Sequence, residues 1–541
     1  MAVASDQHTD DRDALPQRVL HRLNPAVIGT VLAALFALPI LALFALALSG
    51  DREYLDHIAS TRLIEFSFKS AQLAILSGSI AALIGVCCAW LVTRYEFAGR
   101  RALGWLLILP LAMPGYVAAY SWYAITAPGS KFEAASGWDL PTVSGVSGAA
   151  FVFALTLYPY VYLLSRNAME AHGRLTWDVA RSLGVGPWGA FRKVTMPLTW
   201  PAAAAGTALV VMEVLADYGV ADFLGVSTLT VGIVRAWSSF SDPAAAAQLA
   251  VLLLFGALLA LGGERAARGR RQFSSTNASD NRNGPRLRLS GWRAIGAAAV
   301  AALPLVLGLV VPAGNLVWLA IETRVSPSVL PALQGTLLLA TASGALAVVL
   351  GLTAAYALRS GDGMAKISVR MVQAGYAVPG AVAAIAILSA LAITQSTINN
   401  VAGTNAAILT GGSILALLLA YQSRFAAVAI LPCEAALTKV RRELDEAARS
   451  LGARPTQVLT KVHMPLVLTG LATAGLLVAI EVMKELPATM ILRPFSLDTL
   501  AVTAHNYASD ERLAQAALPA LILIAICVPL TALLNLVRPD Q

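Results

Sequence analysis

The sequence predicts an all-α polytopic membrane protein, with about twelve transmembrane helices in two homologous six-helix halves. Three observations carry that prediction. Apolar residues make up 57% of the 541-residue chain and charged residues only 13%, roughly half the charged share of a soluble domain. Apolar runs of the length needed to cross a bilayer, about 20 residues, recur along the whole chain. A polar segment in the first half returns in the second at a fixed offset.

Taken in order, a polar arm (residues 1–25) precedes the first run, Ala26–Leu48. That run is longer than the apolar region of a cleaved signal peptide and reads as a permanent helix. Further runs lie at Ala71–Val92, Leu103–Thr126, Ala149–Leu164, Pro201–Leu224 and Ala244–Leu261. The second half supplies Ala294–Ile321, Leu333–Leu358, Val369–Ile393, Ala406–Leu431, Leu466–Ile491 and Leu513–Val537. Residues 265–293, rich in Arg, Ser, Asn and Gly, form a basic linker between halves 26–264 and 294–541. Cys87, Cys88, Cys433 and Cys527 all fall in apolar runs, as small buried hydrophobes would.

The net charge of +8 is explained by topology. With the N-terminus inside, only nine of the 39 Lys and Arg residues fall in outside segments, which is the positive-inside pattern. Both termini are then expected to be cytoplasmic, and no nucleic-acid partner is needed.

The internal repeat is specific. Arg181-Ser182-Leu183-Gly184 recurs as Arg449-Ser450-Leu451-Gly452, 268 residues on. At the same offset Lys193-Val194 matches Lys461-Val462, Met196-Pro197-Leu198 matches Met464-Pro465-Leu466, and Glu213 matches Glu481. Pro114-Gly115 matches Pro379-Gly380 at an offset of 265. The repeated polar segments, 166–200 and 432–465, each join a fourth span to a fifth. Each contains helix-compatible sequence, then a Gly that permits a tight turn, then a Pro marking re-entry into the membrane. A short exposed helix offered twice on one face suits a two-fold partner.

The run Glu446-Ala447-Ala448-x-x-x-Gly452, followed by Val462 and Pro465, resembles the EAA loop of binding-protein-dependent ABC importer permeases. The first copy, Asp178-Val179-Ala180-x-x-x-Gly184 with Val194 and Pro197, keeps the spacing with Asp for Glu and Val for Ala. The resemblance implies the MetI-like permease fold and a bacterial inner-membrane location. It also implies two copies of a separate ABC ATPase subunit, which would dock on Asp178, Ala180, Gly184, Pro197, Glu446, Ala447, Gly452 and Pro465. A periplasmic or lipid-anchored binding protein would deliver substrate. Met113–Tyr120, Met212–Gly219 and Met483–Leu500 are similar to fused permeases of ferric-iron importers. Thiamine permeases share the fused layout, and a permease for thiamine or another small solute remains the alternative. An ion-gradient-driven carrier is a more distant one, since it has no ATPase to dock.

Glu213, Asp217, Glu481, Lys484 and Glu485 fall in the fifth and eleventh runs. Ionisable groups at membrane depth usually face a bundle interior or a water-filled path. Glu481, Lys484 and Glu485 are spaced to share one helix face. They are candidates for the translocation path, or else pair with one another. No phosphate-cradling G-x-x-x-x-G-K-[ST] loop occurs, so ATP would be used by the partner and the chain is not itself an enzyme. No clustered Cys/His or H-E-x-x-H metal motif occurs, and His463 reads as a surface residue.

Overall fold

The computed structural model describes residues 25–49, 62–171, 182–268, 286–321, 323–360, 362–403 and 412–536. Twelve spans are labelled in chain order. The first half has α1 (Pro25–Ser49), α2 (Leu63–Arg94), α3 (Gly115–Thr126), α4 (Gly145–Ala171), α5 (Met196–Ala216) and α6 (Pro243–Arg268). The second has α7 (Trp292–Ile321), α8 (Val329–Arg359), α9 (Gly380–Ala402), α10 (Ile414–Thr438), α11 (Met464–Lys484) and α12 (Leu513–Leu536). Eleven of these helices are long and apolar enough to cross a membrane, and the bent pair Arg100–Ala112 plus Gly115–Thr126, taken as one broken span, brings the number to twelve. The fold is nearly all-α: among the described residues, the β structure is the two-residue pairing of Tyr95–Glu96 with Leu287–Arg288.

Each half packs the same way. In the first, α2 lies along α4 and α5; in the second, α8 lies along α10 and α11. Small residues let these backbones meet, as membrane helices require when burial from lipid supplies no driving force. A Cβ on Gly85 would stand 2.8 Å from the Tyr162 backbone nitrogen, and one on Gly206 would stand 2.6 Å from the Val161 Cα. Gly351 does the same against the Ala429 backbone in the second half.

The first helix of each half crosses to the other half. Leu32 and Phe36 of α1 are buried against Ala354, Val369, Ala426 and Ile430. In α7 a π-helical turn spans Val306–Val310. Pro312 brings no N–H to the turn before it, and the Leu307 carbonyl instead accepts the Trp122 indole N–H of α3 at 3.2 Å. Ser121 donates to the Pro312 carbonyl at 2.9 Å. The halves are therefore interlocked rather than merely apposed.

Four spans differ from the sequence expectation by a break. The third, expected over Leu103–Thr126, is interrupted by a 3₁₀ turn at Leu109–Ala112 before Pro114 and bends by 93°. The fifth run was expected to continue to Leu224, but α5 ends at Ala216 and a separate short helix covers Gly219–Phe223. The eleventh was expected to reach Ile491, but α11 ends at Lys484 and a second helix covers Pro487–Leu492. The ninth, expected over Val369–Ile393, is interrupted by a 3₁₀ turn at Gly375–Ala377 before Pro379. Hydropathy is blind to such breaks because the residues on both sides are equally apolar.

The linker expected over 265–293 is shorter at its start, since α6 continues to Arg268. Residues 1–24 of the N-terminal arm, most of the linker, and the Asp178–Ala180 part of the first loop lie outside the described residues.

Candidate functional site: a charged cavity between the halves and two polar loops

The two breaks at the ends of α5 and α11 are built alike. Asp217 leaves α5 in an extended conformation and its carboxylate accepts the Val220 N–H at 2.8 Å. Glu485, at the equivalent position, accepts the Ala488 and Thr489 N–H groups, each at 3.0 Å. Each carboxylate satisfies donors at the start of the short helix that follows, which helix continuation would have taken instead. Pro487 has no N–H and suits the first helical position. Glu485 therefore does not share a helix face with Glu481 and Lys484 as spacing alone suggests; the helix has ended.

All five intramembrane candidates nevertheless line one cavity of about 100 Å³ between the halves. Its wall also includes Tyr116, Tyr160, Arg424 and Pro487. Glu213 forms a 2.9 Å ion pair with Arg424 and accepts the Tyr376 hydroxyl at 2.7 Å. Lys484 pairs with Glu481 at 3.0 Å and donates to the Leu111 carbonyl at 3.3 Å. Glu213 belongs to the first half and Arg424 and Tyr376 to the second, so the pairing crosses the interface. The wall carries four carboxylates (Glu213, Asp217, Glu481, Glu485) against two cations (Arg424, Lys484). Both cations are already engaged by Glu213 and Glu481, which leaves the balance acidic.

Close approach fixes the two halves around this cavity. A Cβ on Gly219 of the first half would lie 2.8 Å from Leu486 Cδ2 of the second and from Tyr116 Cβ; within the second half, Gly380 faces the Glu485 carboxylate and Pro487. Arg424 and Tyr376 were missed from sequence. A lone Arg inside an apolar run is itself an intramembrane charge, so Arg424 carried a signal; Tyr376 carried none.

The polar loops lie at the other end of α5 and α11. The second contains a helix, Arg442–Ser450, on which Glu446 and Ala447 are exposed. Gly452 follows at φ +77° and Gly184 at φ +81°, left-handed conformations that Gly adopts without steric cost. The Ala453 N–H bonds the Ala448 carbonyl at 3.0 Å, which closes the helix in a Schellman-type cap. Pro197 and Pro465 open α5 and α11, each preceded by a π-helical turn (Phe191–Thr195 and Val458–His463). Leu183 and Leu451, at equivalent positions, are 76% and 88% exposed.

His463 corrects the sequence reading. It is 4% exposed, not a surface residue. Its Nε2 contacts Asp445 Oδ1 at 2.5 Å, its Nδ1 meets the Tyr356 hydroxyl, and Arg359 Nη2 donates to Asp445 Oδ2 at 2.9 Å. Burial alone would raise the Asp445 carboxyl, but the His463 hydrogen bond and charge, with Arg359, hold it below its usual value. The cluster ties the loop helix to α8 and to the root of α11.

Two segments, residues 74–268 and 347–541, match the family described as binding-protein-dependent transport system inner membrane components. The Fe(3+)-transport system permease protein FbpB 2 of Haemophilus influenzae is 24% identical over 92% of this chain and 95% of its own length. The sulfate transport system permease protein CysT of Escherichia coli K12 is 29% identical over 35% of this chain and 72% of its own. The molybdenum transport system permease protein ModB of the same organism is 30% identical over 28% of this chain and 66% of its own. With eleven or twelve spans in two interlocked halves and a family match in each, this chain belongs to the binding-protein-dependent transport system inner membrane components, as a fused permease.

Proposed function

We propose that this permease passes ferric iron across a bacterial inner membrane, energised by a separate ABC ATPase. The acidic balance of the cavity is the observation that carries the substrate class. Ferric iron is a hard cation that favours carboxylate oxygens. An oxyanion such as sulfate would meet four carboxylates and two cations already paired, and burying it there would be costly. The resemblance along nearly the whole length to a ferric permease supports the same reading, while the sulfate and molybdenum relatives match about a third of the chain.

Two copies of the ATPase subunit would dock on the polar loops. The exposed pair Leu183 and Leu451, beside Gly184 and Gly452, gives each loop an apolar contact without placing it in a span. Glu446 and Ala447 on the second loop, and Asp178 and Ala180 on the first, would enter the ATPase groove. Pro197 and Pro465 join each loop directly to α5 and α11, whose far ends carry the cavity carboxylates. Closure of the ATPase pair would then move the cavity walls through two helices of 21 residues each. A periplasmic or lipid-anchored binding protein would deliver substrate at the opposite end, with both termini of the chain in the cytoplasm.

Uptake of radiolabelled ferric iron, sulfate and thiamine by cells lacking this gene tests the reading. Loss of iron uptake alone supports it. Normal iron uptake with loss of sulfate uptake would give the chain to the oxyanion permeases.

A further inference from the structure

Beyond the cavity, at the end of α5 farthest from the polar loops, lies a second cross-half polar cluster. Asp222, on the short helix Gly219–Phe223, accepts the Tyr218 hydroxyl on its Oδ2 at 3.1 Å. The same Oδ2 stands 3.9 Å from Nε2 of His505, which belongs to the second half. The other ring nitrogen of His505 is held by the Tyr120 hydroxyl at 2.7 Å. His505 is 2% exposed, whereas the Asp222 side chain is 21% exposed, so the cluster is buried on one side and open on the other.

Two donor atoms, the Tyr218 phenol oxygen and the His505 Nε2, therefore flank one carboxylate oxygen of Asp222, and Ser509 Oγ stands 3.4 Å from the same ring nitrogen. Donors about 2.1 Å from a small hard cation in octahedral array stand about 3 Å apart when adjacent and about 4.2 Å when opposite. The two measured separations fall within that range. Among the described residues, no three His, Cys, Asp or Glu side chains form a metal group; here the third donor is a phenol. Tyr120 sits where a ligating histidine needs its second hydrogen bond.

A second observation points inward from the cluster. Tyr116 lies one turn before Tyr120 on α3, with ring centroids 5.7 Å apart, and also lines the central cavity. Its hydroxyl is buried with no hydrogen-bond partner among the described residues. A phenol oxygen is thus available between the cluster and the cavity.

We infer that Tyr218, Asp222 and His505 form an entry site for a hard trivalent cation, handing it past Tyr116 into the central cavity. The inference rests on the ferric reading for the identity of the cation. On binding, the Tyr218 phenol releases its proton to water and the phenolate takes the metal. Three protein donors leave the remaining positions to water or to the delivering ligand. A site that passes cargo onward must hold it weakly enough to release it. Because its donors come from both halves, parting of the halves would dismantle it. Arg235 donates to the other oxygen of Asp222 at 3.3 Å and is half exposed, so it can swing aside as the cation arrives.

The test is titration of the purified full-length chain in lipid nanodiscs with ferric nitrilotriacetate, following bound iron and the phenolate-to-iron absorption band. The expected result is a band that is lost in Tyr218→Phe, with iron affinity reduced at least tenfold in Asp222→Asn and His505→Gln. Tyr123→Phe, a nearby tyrosine outside the donor set, should keep the band. Arg235→Gln should tighten binding by up to about fivefold, the scale of one surface charge interaction. Absence of any band, or a band that survives Tyr218→Phe with unchanged affinity, would overturn the site. The two readings fail separately. Iron transport by a protein without the band removes the entry site and leaves the ferric permease standing, and a band in a protein that transports only oxyanions does the reverse.

Discussion

Removing one side of the Glu213–Arg424 pair should be far more damaging than removing both. The pair is 2.9 Å long, its side chains are 19% and 10% exposed, and its members come from different halves. Arg424→Met strands the Glu213 carboxylate in the cavity wall, and stranding a buried charge costs about 3–5 kcal/mol. The Tyr376 hydroxyl remains as a partner at 2.7 Å and the cavity admits water, so the low end, about 3 kcal/mol, is expected. In Glu213→Gln/Arg424→Met both charges are gone and most of that loss should return. The interaction energy of the double-mutant cycle should then be about 2 kcal/mol or more, within the range seen for residues in direct contact. Unfolding free energies from dodecyl sulfate titrations in mixed micelles would measure it. A cycle that closes to within about 0.5 kcal/mol, the scatter of independent sites, would refute the cross-half pairing.

Gly452→Val should leave normal amounts of protein in the membrane and abolish uptake. Its Cβ would meet nothing within 4 Å, so the effect comes from φ +77° alone, about 1–2 kcal/mol of local backbone strain; Gly184→Val should act similarly, and full uptake by the Gly452→Val protein would contradict the coupling role. Glu446→Lys should likewise spare membrane abundance and weaken ATPase co-purification. Asp445 should make the protein acid-sensitive: a carboxyl depressed by folding stabilises above its ordinary pKa of 3.8 and loses that contribution as pH falls through the lower folded value. Melting curves should fall more steeply below pH 3.8 in wild type than in Asp445→Asn. Reporter fusions at Arg181, Arg282 and Arg449 should report cytoplasm and those at Lys131 and Asp510 the outside; an external signal at Arg449 would break the two-fold reading.

Much of this architecture was legible because lipid leaves a strong mark on sequence. Spans such as α2 and α12 follow from run length and composition, and the repeat at 268 residues revealed the two halves. Gly184 and Gly452 were legible too, since a Gly after a short helix and before a reversal has a narrow set of uses. The breaks after α5 and α11 were not legible. Asp217 and Glu485 look like ordinary intramembrane charges until their backbone hydrogen bonds are seen. Tyr376, Tyr120 and His505 reach their partners over separations of more than a hundred residues, and no local pattern encodes such pairings. The crossing of α1 and α7 onto opposite halves is equally invisible to hydropathy, because both faces of those helices are apolar.

Reconstitution tests the central claim most directly. The permease, its ATPase subunit and its binding protein would be placed in liposomes, with ATP on the ATPase side and ferric iron, sulfate or molybdate on the other. The account predicts that ferric iron accumulates only when ATP and the binding protein are both present, and that neither oxyanion accumulates. Accumulation of sulfate or molybdate, or of iron without ATP, would contradict it.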